Sequence, residues 1–466
     1  MEYVGRTAIE LAELVRGGQA KPSEIVAEHL AQVDAMEPRV HAFLSLRGEK
    51  ALAEARELDD RSDLGELPLA GVPIAMKDSV AVAGEPTRLG SLATSDAPDT
   101  EDDELTRRVR AAGAVVIGKT RQPEMAIWHF TDSNFGTTRN PWNLERAPGG
   151  SSGGAAAAVA SAMLPIAQAS DGAGSIRIPA AFSGLFGIKP GPGVVPLAGG
   201  HTEHWFGMSQ YGPLATTVAD AALLLDVLAG TDRYREVRPP ARSLRVAVST
   251  RPPLIGLRTD RQVRRATEAV ADALRDAGHT IILTDPPYST RMGLAIVQRF
   301  YGGVAHEVDK LGLPMDKLEP RTQTMVKLGR RILNRFPVPD TRGDEWCDRF
   351  TTWFTDYDVL VLPTTARPWV PADGWLGKGF ATTFNNATNH TPFTSPWNLA
   401  SFPAASVPGV MTDDGFPVGV QIVAPRGGEA LVLSVAKQVE DLMPWPRHAP
   451  LAGIESRVAG PSPVPA

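Results

Sequence analysis

The sequence predicts an α/β protein built on a mostly parallel or mixed central sheet, and three observations carry that prediction. Short apolar runs of strand length recur at residues 71–76, 114–117, 244–248, 359–362 and 418–423. Amphipathic stretches of helical length alternate with them at 219–228, 262–277 and 429–442. Alternation of that kind is the signature of strands covered by crossover helices. The chain is also long enough at 466 residues, and at 43% hydrophobic and 21% charged ordinary enough, to bury a large core.

The elements follow in order. Thr7 with Glu10 forms a capping box that opens a helix running through Val15. Ser23 is expected to cap a second helix, with Ile25, Val26, Leu30 and Val33 on one face, and a third covers 47–60. An Ala-rich helix is expected over 155–163, a strand over 164–167 and a tight loop over 170–175. Residues 286–343 are charged, Met- and Arg-bearing and helical in character, and read as an insertion or cap over the sheet. Residues 449–466 are rich in Pro, Gly, Ser and Ala and read as a flexible tail.

Composition excludes several function classes. A net charge of -6 without a basic stripe argues against nucleic-acid binding. The first residues lack a basic region followed by an apolar run, and nothing approaches the ~18 apolar residues of a spanning helix, so a cytoplasmic enzyme without membrane partners is expected. The single cysteine, Cys347, excludes an internal disulfide framework. Its neighbours Asp344, Glu345 and Asp348 oppose a thiolate, which makes it an incidental residue rather than a nucleophile.

The densest chemical signal runs from 148 to 190. Gly149-Gly150-Ser151-Ser152-Gly153-Gly154 is a loop stripped of bulk around two hydroxyls, and Ser170-Asp171-Gly172-Ala173-Gly174-Ser175 is a second. Glycines let a backbone approach a substrate and aim several N–H groups at one point, the requirement of an oxyanion hole beside a serine. Gly/Ser-rich loops are more often plain turns or linkers. Two of them flanking a small-residue helix and a strand make a poor linker.

A serine hydroxyl needs a base, and none of the nine histidines lies in a comparable glycine-rich context. A lysine serves only when burial depresses its pKa. Lys77 follows the apolar run 71–76 and precedes Asp78-Ser79, so it is the natural candidate. On position alone a surface lysine remains the alternative.

In these residues the chain resembles the amidase signature family. The family pattern is a GGSSGG loop, an Ala/Val-rich helix, a G-[ST]-D-x-G-G-S-I-R-x-P stretch and G-x-K-P. Here these stand at 149–154, 155–163, 170–179 and 187–190. The resemblance extends to 71–78, to 212–215 with the helix after it, to 398–408 and to 415–423. Only 286–343 and the tail fall outside it.

The resemblance implies an amidase-signature fold, a mixed sheet covered by helices on both faces. A single domain would span 1–448, with N-terminal helices over 7–60 and a variable cap over 286–343. It implies hydrolysis of an amide by a Ser-Ser-Lys triad. Ser175 would be the acylated nucleophile, Ser151 the bridging serine after a cis peptide bond, and Lys77 the base. The backbone N–H groups of Gly172, Ala173, Gly174 and Ser175 would form the oxyanion hole, braced by Ser152, Asp171 and Arg177. No metal or organic cofactor is implied. The expected state is a monomer, or a homodimer through the N-terminal helices.

Departures from the pattern are few. The usual Gly-Thr-Asp is Ala169-Ser170-Asp171, the Gly-Gly before the nucleophile is Ala173-Gly174, and the Thr after Lys-Pro is Gly191. The methyl of Ala173 is expected to narrow the pocket rather than harm the oxyanion hole.

Rival readings are weaker. Gly113 to Thr120 satisfies the P-loop expression, but its four variable residues, Ala114 to Ile117, form an apolar β-branched run and so read as a strand. Gly149 to Gly153 satisfies the nucleophile-elbow expression, which makes Ser151 the nucleophile of an esterase and demands a late Asp-then-His pair. Only His390 and His448 come late enough. The family also includes the glutaminase subunit of tRNA-dependent amidotransferases, but nothing here resembles a pocket for glutamine. Trp128, Phe130, Trp205 and Phe206 are the candidate lining of an apolar pocket. Substrate selection is expected from residues 127–135, 201–208, 297–304 and 380–396.

Overall fold

β-Branched and aliphatic residues pack well on a pleated surface, and the apolar runs above become the strands of one sheet. In the computed structural model, which describes residues 1–254, 256–338 and 344–454, the strands are β1 (Phe43–Leu46), β2 (Pro73–Lys77), β3 (Val115–Thr120), the short pair β4 (Asp132–Ser133) and β5 (Gly136–Thr137), β6 (Ile166–Asp171), β7 (Phe186–Lys189), β8 (Gln210–Ala215), β9 (Arg245–Val248), β10 (Thr280–Leu283), β11 (Val359–Pro363), β12 (Ala404–Pro408) and β13 (Gly419–Val423). Among the described residues, eleven of them form a single sheet in the order β1-β3-β2-β6-β8-β7-β12-β13-β11-β9-β10. It is mixed: β3, β2 and β6 run parallel, as do β11, β9 and β10, and antiparallel neighbours join the two halves.

Side chains alternate across each strand, so both faces carry a core. On one face Ile74, Met76, Val246, Val361 and Ile422 meet the helices Ala8–Arg16, Val218–Ala229, Arg261–Asp276 and Glu429–Leu442. On the other face Ala75, Ile117, Ala167 and Leu214 meet Pro22–Val40, Gly48–Asp59 and Gly153–Ala160. The fold is the expected α/β arrangement with helices on both faces.

Local departures have physical causes. The Thr7–Glu10 capping box is present, but Ser23 is not a cap. Pro22 takes the first helical position after Lys21, where its fixed φ suits the turn. The Ser23 hydroxyl turns instead to Asp59, 2.6 Å away. The Ala-rich helix is Gly153–Ala160 rather than 155–163. Gly153 and Gly154 belong to it because the chain passes close to its neighbours there: a Cβ on Gly154 would lie 2.5 Å from the Ala42 carbonyl oxygen. The following strand pairs with β8 out to Asp171 opposite Gln210, so Ser170 and Asp171 are its last residues and not part of the loop.

The P-loop lookalike is β3 itself, with Lys119 buried and donating to Thr87 and the Pro86 carbonyl. Residues 286–343 contribute the helices Thr290–Lys310 and Pro320–Arg335, which pack on each other and over Trp128, Phe130 and Trp205. Residues 339–343 of that stretch lie outside the described residues. At the C-terminal end, Pro450–Ala452 form a 3-10 turn and Ala449 donates to the Ala160 carbonyl. Residues 455–466 of the expected tail lie outside the described residues. Among the described residues no helix is long and apolar enough to cross a membrane.

The closeness of the buried helix to the chain around Ala42 and Arg121 gives a first test. Gly154→Ala drives a methyl into backbone atoms that have nowhere to go, and it is expected to cost about 1–3 kcal/mol of stability. Urea unfolding at neutral pH reads this directly, and an unchanged midpoint would show that the helix has room to move.

Candidate active site

β2 and β6 are parallel neighbours, so their C-terminal ends open on the same edge of the sheet. That edge gathers the polar residues of the site. Lys77 ends β2 with its side chain fully enclosed. Its Nζ donates to Ser151 Oγ at 2.6 Å and to Ser170 Oγ at 2.9 Å, while its backbone N–H is held by Gln168 Oε1 at 3.0 Å. Burial holds the amine down at about 7, against the pull of the Asp171 and Asp78 carboxylates. An amine near neutrality at pH 7 can take a proton from the hydroxyl it touches.

Ser151 sits at the turn into the buried helix, and the Gly150–Ser151 peptide is cis. The Ser152 hydroxyl lies 3.2 Å from the Ser170 carbonyl, and the Ser152 N–H donates to the Ser175 carbonyl. The two glycine-rich loops are thereby tied to each other. Ser175 itself is 9% exposed whereas Ser151 is 0% exposed. Only the former opens to the outside, and its hydroxyl has no hydrogen-bond partner among the described residues.

Asp171 organises the second loop. Its carboxylate accepts from the N–H groups of Gly174 at 2.6 Å and Ile176 at 3.2 Å. It also receives the Arg177 guanidinium in a fork, with both contacts at 2.9 Å. Burial works to raise this carboxyl, but Arg177 outweighs it with help from Asn398, and it stays well below the usual carboxylate range. Arg177, fully buried, also reaches Asn398 Oδ1, Gln421 Oε1 and the Thr394 carbonyl at 2.5, 2.6 and 2.9 Å. One buried ion pair therefore joins β6 to the C-terminal third of the chain.

Of the four N–H groups expected to form an oxyanion hole, one is engaged within the protein. An Asp side chain bonds readily to the backbone a few residues on, and the Gly174 N–H is consumed in this way. Among the described residues the N–H groups of Gly172, Ala173 and Ser175 have no acceptor. These three are the available donors.

The four aromatic residues expected to line a pocket lie apart from the cavity nearest the second loop. This cavity of about 740 Å³ is lined by Ala173, two residues before Ser175 in sequence, together with Met292, Ile296, Val297, Phe300, Phe384 and Thr391. None of Trp128, Phe130, Trp205 or Phe206 lines it. Trp128 and Phe130 stack in the core beneath the Arg321 guanidinium. Trp205 covers Gly172 and donates its indole N–H to Glu307 at 2.8 Å. Phe206 is half-buried, and its carbonyl accepts from Arg299. Of the regions expected to select substrate, 297–304 and 380–396 reach the cavity and 127–135 and 201–208 do not.

Sequence reasoning also left out Ser170, Asn398, Gln421 and Thr394 as site residues. Ser170 stood in the family pattern as the residue that keeps a hydroxyl, and Asn398 opened one of the matching stretches. Gln421 lay within the matching stretch 415–423 and Thr394 within the region 380–396, but neither was singled out. The fork itself is testable. Asp171→Ala leaves a buried guanidinium without its counter-charge and is expected to lower the unfolding free energy by about 3–5 kcal/mol. Urea denaturation at pH 7 measures it, and a loss below about 1 kcal/mol, the scale of an exposed ion pair, would count against the pair as an anchor.

The chain matches the Amidase family model over residues 24–433. It is 39% identical over 450 residues to the protein AmiB2 of Mycobacterium tuberculosis, spanning 94% of this chain and 96% of that one. It is 36% identical to an acylamidase of Rhodococcus erythropolis over 95% of this chain and 97% of that one. The solved structure of 6-aminohexanoate cyclic dimer hydrolase complexed with substrate superposes with a TM-score of 0.83 at 31% identity, covering 97% of this chain and 98% of that one.

Proposed function

Since the chain belongs to the amidase signature family and is by that membership an amide hydrolase, we propose that it works through a Ser175 acyl-enzyme with a proton relay over Ser151 to Lys77. The observation that carries this reading is the 2.6 Å contact between Ser151 Oγ and a buried lysine amine held at about 7. Ser175 is the accessible hydroxyl of the pair. Its hydrogen bond to Ser151 closes with the substrate in place, as contacts of this kind often do.

The steps balance as follows. Lys77 takes a proton from Ser151 while Ser151 takes one from Ser175, and Ser175 Oγ bonds to the carbonyl carbon. The oxyanion is held by the N–H groups of Gly172, Ala173 and Ser175. The carbon–nitrogen bond then breaks as the relay returns the proton to the leaving nitrogen. Water gives a proton to the relay, bonds to the acyl carbon and releases Ser175, which regains its hydrogen. Esters and carbamates of the same shape enter the same cycle, since only the leaving atom changes.

The cavity favours a small amide with a neutral, apolar group. It is lined by Ala173, Ile296, Val297, Phe300 and Phe384. A Ser151 nucleophile with a histidine base has less support. Ser151 is enclosed and bonded to Lys77, and His390 faces the Asn386 carbonyl oxygen.

A panel of apolar amides, anilides, carbamates and esters tests the assignment against Ser175→Ala. Turnover is expected to fall by about four to six orders of magnitude, and a fluorophosphonate adduct is expected on Ser175 alone. Label on Ser151 with Ser175 unmodified sinks the assignment. The pH profile tests the base. Lys77 accepts a proton only when neutral, so kcat/KM rises with pH through about 7 and levels above it. Below that limb it drops about tenfold per pH unit. A flat profile between about pH 5.5 and 8.5 removes Lys77 from the role.

A further inference from the structure

We propose that Thr394 is a positioning residue of the oxyanion loop, holding the Ala173–Gly174 peptide so that the neighbouring N–H groups face the reacting carbonyl. The inference rests on the Ser175 acyl-enzyme reading and adds a residue to it that lies more than two hundred positions away in sequence.

Thr394 stands immediately before the short helix Ser395–Leu399, at the position where a threonine hydroxyl ordinarily accepts from the first free N–H groups of the helix. It makes no such bond. Its Oγ1 instead donates to the Ala173 carbonyl at 2.6 Å, with the Thr391 carbonyl a much longer alternative at 3.4 Å. The residue is fully buried, and its own carbonyl accepts from Arg177 Nη1 at 2.9 Å. Its hydroxyl and its carbonyl are thus engaged with the Ser175 loop and its anchor.

The effect falls on one peptide plane. The Ala173 carbonyl is held by Thr394, and the Gly174 N–H of the same peptide is held by Asp171 Oδ1 at 2.6 Å. A peptide fixed at both ends cannot rotate. The Ala173 N–H before it and the Ser175 N–H after it are then presented in a set direction, without reorganisation when charge develops on the substrate oxygen. Gly174 adopts φ 128, and a Cβ there would run into the Thr394 side chain, so the loop and Thr394 are in close contact. Asp171 and Thr394 grip that peptide from opposite ends.

Thr394 belongs to a segment that forms part of the cavity wall, although it is not itself a lining residue. Thr391, Pro392, Ser395 and Pro396 all line it, as does Ala173. The segment that steadies the donors is therefore one that the substrate touches, although Thr394 itself makes its bond behind the wall.

The test compares Thr394→Val, which keeps the shape and removes the hydroxyl, with Thr394→Ser, which keeps the hydroxyl. Thr394→Val is expected to lower kcat about 10- to 100-fold while KM changes less than about threefold, because the lost interaction is one realised in the transition state. Affinity for a trifluoromethyl ketone analogue falls in parallel with kcat, and Thr394→Ser restores both to within about threefold of wild type. A residue that only satisfied a buried carbonyl would shift the melting temperature without this split. Where Thr394→Val does not fold, Thr394→Ala removes the same hydroxyl and is read in the same way. A kcat within about twofold of wild type in the hydroxyl-free variant overturns the role. So does a Thr394→Ser enzyme as slow as Thr394→Val. Fluorophosphonate labelling of wild type separates the two readings. An adduct away from Ser175 overturns the acyl-enzyme and this role with it, whereas an adduct on Ser175 beside an unaffected Thr394→Val overturns only the role of Thr394.

Discussion

A lysine amine beside two carboxylates ordinarily keeps its proton well above pH 7, and both Asp171 and Asp78 pull on Lys77 in that direction. Burial prevails because neither carboxylate is free to act fully. Asp171 faces the Arg177 fork, Asn398 and two backbone N–H groups. Asp78 accepts from the Arg88 and Gly90 N–H groups and lies 3.7 Å from Lys119, and burial pushes its carboxyl up to about 6. The buried Asp171–Arg177 pair thus does two things at once. It fixes the loop that carries Ser175, and it sets a guanidinium against the carboxylate that pulls hardest on Lys77.

The topology explains why such a pair is affordable in an otherwise apolar interior. Parallel strands need crossover connections, and those crossovers place β2 and β6 side by side with their ends on one edge. The residues between Ser151 and Ser170 are the crossover into β6, built from a helix of Gly and Ala with a single Val. Its small side chains let both glycine-rich loops converge on the same point. Larger residues there would push Ser151 away from Lys77, since the backbone of Ala42 and Arg121 is already in contact.

Much of this was legible in the sequence because it is local. Strand runs, the Thr7 capping box and the two Gly/Ser loops are patterns within a few residues, and most of them fall within a residue or two of expectation, whereas β3 and β6 run three and four residues further than their apolar runs. Lys77 was legible because an apolar run leading into a lysine implies burial. What was not legible depends on contacts between distant segments. Ser170 and Asp171 read as loop because their glycine neighbours suggest a turn, yet pairing with Gln210 and Tyr211 extends the strand through them. That the Asp171 carboxylate reaches the Gly174 N–H is a loop geometry that the glycine pattern does not encode. Trp128 and Phe130 read as pocket because aromatics often line pockets, but the helices 290–310 and 320–335 cover them. Thr394 lay within the region 380–396, but nothing in its neighbours points to a bond with the Ala173 carbonyl.

The cavity and the catalytic loop meet at one residue, and that junction bears on substrate range. Ala173 contributes a methyl to the cavity, its N–H to the three available donors and its carbonyl to Thr394. At that position the family pattern has glycine, so the methyl adds apolar bulk next to the reacting carbon without removing a donor. Ala173 is not among the residues with positive φ, so the side chain is tolerated without strain. Under the proposed acyl-enzyme, an acyl group branched beside its carbonyl would meet this methyl, while a straight or planar group would have the wall of Val297, Phe300 and Phe384 to lie along. One extra methylene in an apolar site changes discrimination by roughly 1–3 kcal/mol. If Ser175 carries the acyl group as proposed, shape beside the carbonyl, more than the polarity of the far end, is the property on which such a site would discriminate between amides.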